Sequence, residues 1–143
     1  MTYTTSIRVP PYFSLTETVQ SHGWYQLPPL QWDEKNKKLL RIDQPPGGGV
    51  YSIQVIESQE GGKLLLDIEQ PYKCALRRHE LENVVARVRR MLQLDVDLSH
   101  FYPLCNTYPL LREVPIIGAG RILRNPDLFE DIVKSICGTN TSW

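Results

Sequence analysis

Near Pro71 the hydrophobic patterning of the chain changes, and this switch bounds the folds open to it. Upstream, short alternating segments are separated by Gly-Gly and Pro-Pro breakers; downstream, apolar residues recur at helical spacing. Strands followed by helices imply an α+β fold. The boundary divides the chain into a β-rich part, residues 1–76, and a helical part, residues 77–143. No internal repeat or low-complexity tract interrupts either part.

In the first part, Thr16 to His22 is expected to form a short helix, with Leu15 and Val19 on one side. Leu30 to Asp33 and Lys38 to Asp43 are separated by Glu34-Lys35-Asn36-Lys37, which predicts a hairpin. Gln44-Pro45-Pro46-Gly47-Gly48-Gly49 breaks the chain, because proline cannot donate to a ladder and glycine weakens one. Val50 to Glu57 alternates, placing Tyr51, Ile53 and Val55 on one face and Val50, Ser52, Gln54 and Ile56 on the other. Glu60-Gly61-Gly62 then turns into Lys63 to Glu69. Such short connections predict antiparallel pairing, since parallel pairing needs a longer crossover.

In the second part, Leu81, Val84, Val85, Val88, Met91 and Leu92 keep the i, i+3, i+4, i+7 rule of an amphipathic helix. Leu98 to Cys105 predicts a shorter helix with Asp97 as its cap, and Pro109 and Pro115 interrupt the segment after it. The last helix carries complete local signals. Asn125 is the expected N-cap and Pro126 the first helical residue. Asp127, Glu130 and Asp131 complement the positive end of the helix dipole. Leu128, Phe129, Ile132, Val133, Ile136 and Cys137 form one apolar stripe, which predicts burial against other helices, and Gly138 is the expected exit residue.

Composition narrows the function. The 143 residues are 41% hydrophobic, enough for a modest core, and carry no formal net charge. The whole molecule is therefore not a basic nucleic-acid binder, although a local basic face is compatible with neutrality. No apolar run has the length of a membrane span. Met1 to Pro10 lacks the apolar core of a signal peptide, so the expected location is cytoplasmic. Three cysteines, Cys74, Cys105 and Cys137, form no paired framework, which fits a reducing compartment. His22, His79 and His100 lie far apart, and no cofactor or metal is expected. Gly47-Gly48-Gly49 is not a phosphate loop, because no Lys-Ser/Thr follows and no helix opens there. No Ser-His-Asp or Cys-His arrangement has a supporting context.

Asn125-Pro126-Asp127-Leu128-Phe129-Glu130-Asp131, continued through Trp143, resembles the helix-hairpin-helix superfamily of DNA glycosylases, in its 8-oxoguanine and 3-methyladenine branch. Met91-Leu92-Gln93-Leu94-Asp95-Val96-Asp97-Leu98 is similar to that branch's helix exit, and Gly120-Arg121-Ile122-Leu123-Arg124 to its basic turn before the core helix. The strand-rich first part is similar to the antiparallel domain that precedes the family's helices. The resemblance covers most of the chain, most specifically from Leu81 onward.

It implies an antiparallel sheet with a short helix, followed by the first helices of a helix-hairpin-helix domain. The implied activity is base-excision repair: extrusion of a damaged purine and hydrolysis of its N-glycosidic bond, with double-stranded DNA carrying the damaged base as partner. Carried over by position, Asn140 matches the wedge residue that fills the vacated gap, and Thr141 and Ser142 fall where the family has further polar residues. The family's glycine-rich hairpin and its catalytic lysine and aspartate come after the matched stretch. No residue up to Trp143 is thus expected to be catalytic, and the chain alone is expected to be inactive. Helices that would cover the last helix also come from outside this stretch, so a homodimer or swapped oligomer through that helix, or marginal stability, is expected. A noncatalytic DNA-binding or protein-interaction module built on the same front of the fold is the alternative, and a plain structural domain a third.

Other residues carry two readings. Arg121 and Arg124 are candidates for phosphate contact, or a solvated pair beside Asp127. Arg77, Arg78, Arg87, Arg89 and Arg90 form a basic run better explained by local ion pairs than by DNA. Ser21-His22-Gly23-Trp24-Tyr25 falls where the family has a glycine-containing loop near the base pocket, making His22, Gly23 and Trp24 pocket candidates. Here histidine and tryptophan surround the glycine, which departs from the family pattern; the competing reading is a helix-to-strand corner packed by Trp24. Phe101, Tyr102, Cys105 and Tyr108 read as core.

Overall fold

The computed structural model describes residues 2–46, 48–70 and 76–139. The fold is α+β. Its sheet comprises β1 (Thr2–Arg8), β2 (Leu30–Asp33), β3 (Lys38–Asp43), β4 (Tyr51–Glu57) and β5 (Lys63–Glu69). The spatial order is β1-β5-β4-β3-β2, and every neighbouring pair is antiparallel. Helix α1 (Leu15–Val19) and a 3-10 turn (Gly23–Gln26) lie between β1 and β2. Four helices follow the sheet: α2 (Arg78–Met91), α3 (Phe101–Thr107), α4 (Glu113–Ile117) and α5 (Leu128–Gly138).

The β2–β3 hairpin has the expected bounds. Asp33 accepts from the Asn36 backbone N–H at 3.0 Å, and Lys37 takes the left-handed conformation that closes the loop. Between β4 and β5, Gly61 and Gly62 have φ of 71° and 67°, a conformation glycine adopts without steric cost. Strand β1 was not legible as a strand. It is an edge strand with one buried apolar residue, Ile7, and its ladder partner β5 is distant in sequence. On its exposed face, Thr2 and Thr4 hydroxyls donate to Glu69 and Asp67 at 2.8 and 2.7 Å.

Alternation sorts the sheet into two faces. Leu39, Tyr51, Ile53, Val55, Leu64, Leu66 and Ile68 are buried on one of them. Leu15 and Val19 of α1 and Val84, Val88 and Met91 of α2 join the same core. Each fully buried aliphatic side chain contributes about 1.5–3 kcal/mol, so residues from both sides of Pro71 stabilise one core.

Several helix ends differ from the sequence expectation. Helix α1 starts at Leu15 because the Ser14 side chain caps it, and it stops at Val19. His22, expected as the last residue of that helix, instead caps the following 3-10 turn. Asp97 does not cap α3. Its carboxylate closes a turn on the Ser99 N–H at 2.8 Å, and the helix opens at Phe101. Helix α2 leaves through Gln93, whose φ is 51°, with Leu94 N–H donating back to the Arg89 carbonyl at 3.0 Å.

The last helix differs most. Its N-cap is Asp127, whose side chain accepts from the Glu130 N–H at 2.9 Å, not Asn125. That N–H bond, more than the neighbouring Arg87, holds the Asp127 carboxyl below its usual range. Asn125 is fully buried and used elsewhere: its N–H and side-chain amide both donate to Asp131 at 3.0 Å, and its carbonyl oxygen accepts from Lys134 at 2.8 Å. Gly138 belongs to the helix, and Thr139 ends it in an extended conformation.

Helix α5 also docks by its polar face. No residue of it is buried, so the expected burial of its apolar stripe does not occur among the described residues. Arg41 and Asp43, both buried on β3, form the base of an ion-pair network. Arg41 reaches Glu130 of α5 at 2.6 Å, and Arg87 of α2 bridges Asp43 at 2.6 Å and Asp127 at 3.1 Å. Lys134 adds a 2.8 Å bond to Glu130.

Candidate nucleic-acid interface

The segment from Ile122 to Asn125 positions the site. It has no regular secondary structure and is clamped on both sides. Arg124 N–H donates to the carbonyl of Met91 at the end of α2, at 2.9 Å. Leu123 N–H donates to the Ser21 hydroxyl at 2.9 Å, and the Leu123 carbonyl accepts from His22 Nε2 at 2.6 Å. These bonds link the corner after α1, the exit of α2 and the entry of α5.

An open cleft of about 910 Å³ lies where those three meet. His22, Gly23 and Trp24 line one side, and Leu128, Ile132 and Ile136 of α5 another. Arg124 also lines it. The structure thus brings four of the sequence-derived candidates to one place.

The His22 ring is fixed at both nitrogens. Nε2 donates to the Leu123 carbonyl, and Nδ1 accepts from the Trp24 N–H at 3.2 Å. Its ring meets Trp24 edge-on, with centroids 4.9 Å apart. The corner is therefore rigid, with a half-buried indole at its surface. An aromatic edge held this way can pack against a flat apolar group in the cleft.

Arg124 is exposed and has no ion-pair partner among the described residues, so its charge faces solvent and the cleft. Arg121 is different. It is 2% exposed and its Nη2 donates to the Val96 carbonyl at 3.1 Å, which removes it from the surface where a phosphate would be met. It lines a separate cavity, so the two arginines do not act as a pair.

The basic run on α2 is consumed by ion pairs. Arg78 pairs with Glu82, Arg87 with Asp43 and Asp127, Arg89 with Asp95, and Arg90 with Asp131. Arg77 donates to Glu80, holding that carboxyl down at about 2. Asn140, Thr141 and Ser142, the residues assigned to gap filling, lie outside the described residues, as does Cys74.

Two carboxylates of α5, Asp131 in the cleft wall and Glu130 outside it, have structural roles. Asp131 accepts both Asn125 donors and faces Arg90 at 3.5 Å. For Glu130, burial pushes the carboxyl up, but hydrogen bonds from Arg41 and Lys134 prevail and hold it below its ordinary range. Both are held by partners within the protein. Among the described residues no group of three or more histidine, cysteine or acidic side chains could hold a metal ion. No helix of theirs is long and apolar enough to cross a membrane.

Sequence reasoning missed the buried Arg41–Asp43 pair and the role of Asn125. The signal for the first was present: charges occupy core-facing positions of the β3 alternation that begins with Leu39. The exposed surface was partly legible. Leu128, Phe129 and Ile136 are 64%, 77% and 66% exposed, so α5 presents its apolar stripe outward. The chain matches no family model, no curated protein and no solved structure.

Proposed function

We propose that this chain is the front, DNA-engaging portion of a helix-hairpin-helix base-excision DNA glycosylase of the 8-oxoguanine and 3-methyladenine branch. The observation that carries this reading is the cleft, in which the His22–Trp24 corner, Arg124 (without an ion-pair partner among the described residues) and one side of α5 converge. Arg124 supplies a phosphate contact, the Trp24 corner lies beside an extruded damaged purine, and the polar residues after α5 fill the gap. Asn140 is the wedge, with Thr141 and Ser142 supporting it. Phosphate contacts provide affinity without sequence preference, and the wedge offsets part of the cost of unstacking.

The chemistry belongs to other groups. Glu130 and Asp131 are occupied by Arg41, Lys134, Asn125 and Arg90, so neither is placed to activate water. In this reading the chain binds and distorts DNA but does not break the N-glycosidic bond. The same occupied carboxylates favour the second reading, a noncatalytic DNA-binding or protein-interaction module with the same front end. The outward apolar stripe of α5 is the surface for further helices or a second copy of the chain.

Fluorescence anisotropy with a duplex containing a single abasic-site analogue tests the wedge. The chain should bind that duplex more tightly than an intact one, and Asn140→Ala should remove the preference. Equal affinity of both proteins for both duplexes contradicts the reading. Release of 8-oxoguanine or hypoxanthine from a lesion duplex above background would show that the chain itself is catalytic.

A further inference from the structure

A second cavity, of about 710 Å³, shares no lining residue with the cleft. Its volume is within the range of small-molecule sites, roughly 300–1,000 Å³. Pro10, Pro11 and Tyr12 approach it from the segment after β1, and Tyr102 and Pro103 from α3. The turn from Leu94 to Ser99, Asn106 of α3, Pro115 and Ile116 of α4, and Arg121 complete the wall.

Arg121 is the unusual member. It is 2% exposed, and its Nε and Nη1 have no hydrogen-bond partner among the described residues. Nη2 donates to the Val96 carbonyl. A buried guanidinium with unmet donors is strongly unfavourable unless an anion or acceptor completes it. No carboxylate in the wall does so. Asp95 is engaged by Arg89, and Asp97 by the Ser99 N–H and hydroxyl. Asp97 is held below the ordinary carboxylate range first by those Ser99 bonds and least by the Arg121 charge. The Tyr102 hydroxyl is also engaged, with carbonyls of Tyr12 and Ala119 at 3.3 and 3.2 Å.

We propose that this cavity binds a small organic monocarboxylate, its carboxylate on Arg121 and its apolar body against Tyr102, Pro11, Pro103 and Ile116. Arg121 is the one cation among the lining residues, and its unmet donors set the kind of group it takes. A dianionic phosphate would place a second charge near Asp95 and Asp97, which disfavours it. The prolines and Tyr102 offer contact area but few hydrogen bonds, so the rest of the molecule is apolar. Charge-assisted bonds from a guanidinium to a planar carboxylate give the orientation. The cavity and the cleft share no lining residue, so Arg121 can be altered without touching the cleft wall.

Phenylacetate, 2-phenylethanol and inorganic phosphate are the probes, followed by amide chemical shifts of the whole chain. Phenylacetate should give saturable shifts at Val96, Leu98 and Tyr102. 2-Phenylethanol, with a similar body but no charge, should bind at least about tenfold more weakly. Arg121→Gln should weaken phenylacetate by a similar factor. Asn106→Trp, placed at the exposed rim, should block entry while leaving Arg121 intact. No saturable shift up to about 10 mM phenylacetate, equal affinity for the alcohol, saturation of the same amides by phosphate, or unchanged binding to Asn106→Trp would each overturn the proposal.

Discussion

Asp43→Asn tests how the second part of the chain is held to the sheet. Asp43 is 3% exposed and accepts from Arg87 at 2.6 and 2.9 Å and from Arg41 at 3.3 and 3.2 Å. The substitution keeps the shape and removes the charge between two guanidinium groups. Removing one partner of a buried pair costs about 3–5 kcal/mol. Here Arg41 keeps Glu130 and Arg87 keeps Asp127, so the expected loss is nearer about 2–3 kcal/mol at neutral pH. The pH dependence has a definite sign. Burial pushes the Asp43 carboxyl up, yet the Arg87 hydrogen bond and the Arg41 and Arg87 charges prevail and leave it below the ordinary value of 3.8. A depressed folded-state value stabilises above the unfolded value, and that stability is lost as pH falls through the folded one. Urea unfolding should therefore show a large gap between wild type and Asp43→Asn at pH 7 that narrows below about pH 4. Because α5 docks through this network, its amides should exchange faster in the variant before those of β4 and β5 do. Arg78→Ala removes an exposed pair and should leave the urea midpoint nearly unchanged. An equally small shift for Asp43→Asn would refute the reasoning.

Gly118→Ala should destabilise by more than about 1 kcal/mol, because Gly118 has φ of 72° and an added Cβ would meet Ser14 N and the Tyr12 carbonyl at 3.0 Å. Gly61→Ala, with the same φ sign but open space around it, should cost less in thermal unfolding. Glu80→Gln should remove part of the acid-sensitive stability. Arg77 holds Glu80 at about 2 against 4.5, so that contribution is present above 4.5 and fades towards pH 2, readable from urea midpoints across that range. Phe129→Glu with Ile136→Glu alters exposed positions and should leave stability within about 0.5 kcal/mol, while reducing self-association measured by light scattering after size exclusion.

Elements with strong local patterning were legible. The Leu30–Asp33 and Lys38–Asp43 strands alternate around a polar loop, and α2 carries an apolar residue at nearly every core-facing position. Features that were not legible depended on partners remote in sequence. Strand β1 is defined by its ladder with β5, from Thr2↔Glu69 to Arg8↔Lys63. Asn125 has the side chain of a helix cap, but Asp131 and Lys134 occupy it, and Asp127 caps instead. Arg121 and Arg124 look equivalent in sequence. Their opposite burial reflects the alternation of a segment in which Arg121, Leu123 and Asn125 face inward and Ile122 and Arg124 face out.

That alternation leaves Arg124 as the cation of the cleft, and its role is the most direct test of the functional account. Binding of an abasic-analogue duplex should be titrated across salt for wild type and Arg124→Ala. If Arg124 contacts a phosphate, log K should fall linearly with log salt, and the variant should lose about one unit of that slope. Identical slopes for the two proteins, or no salt-dependent binding of either, would contradict the account.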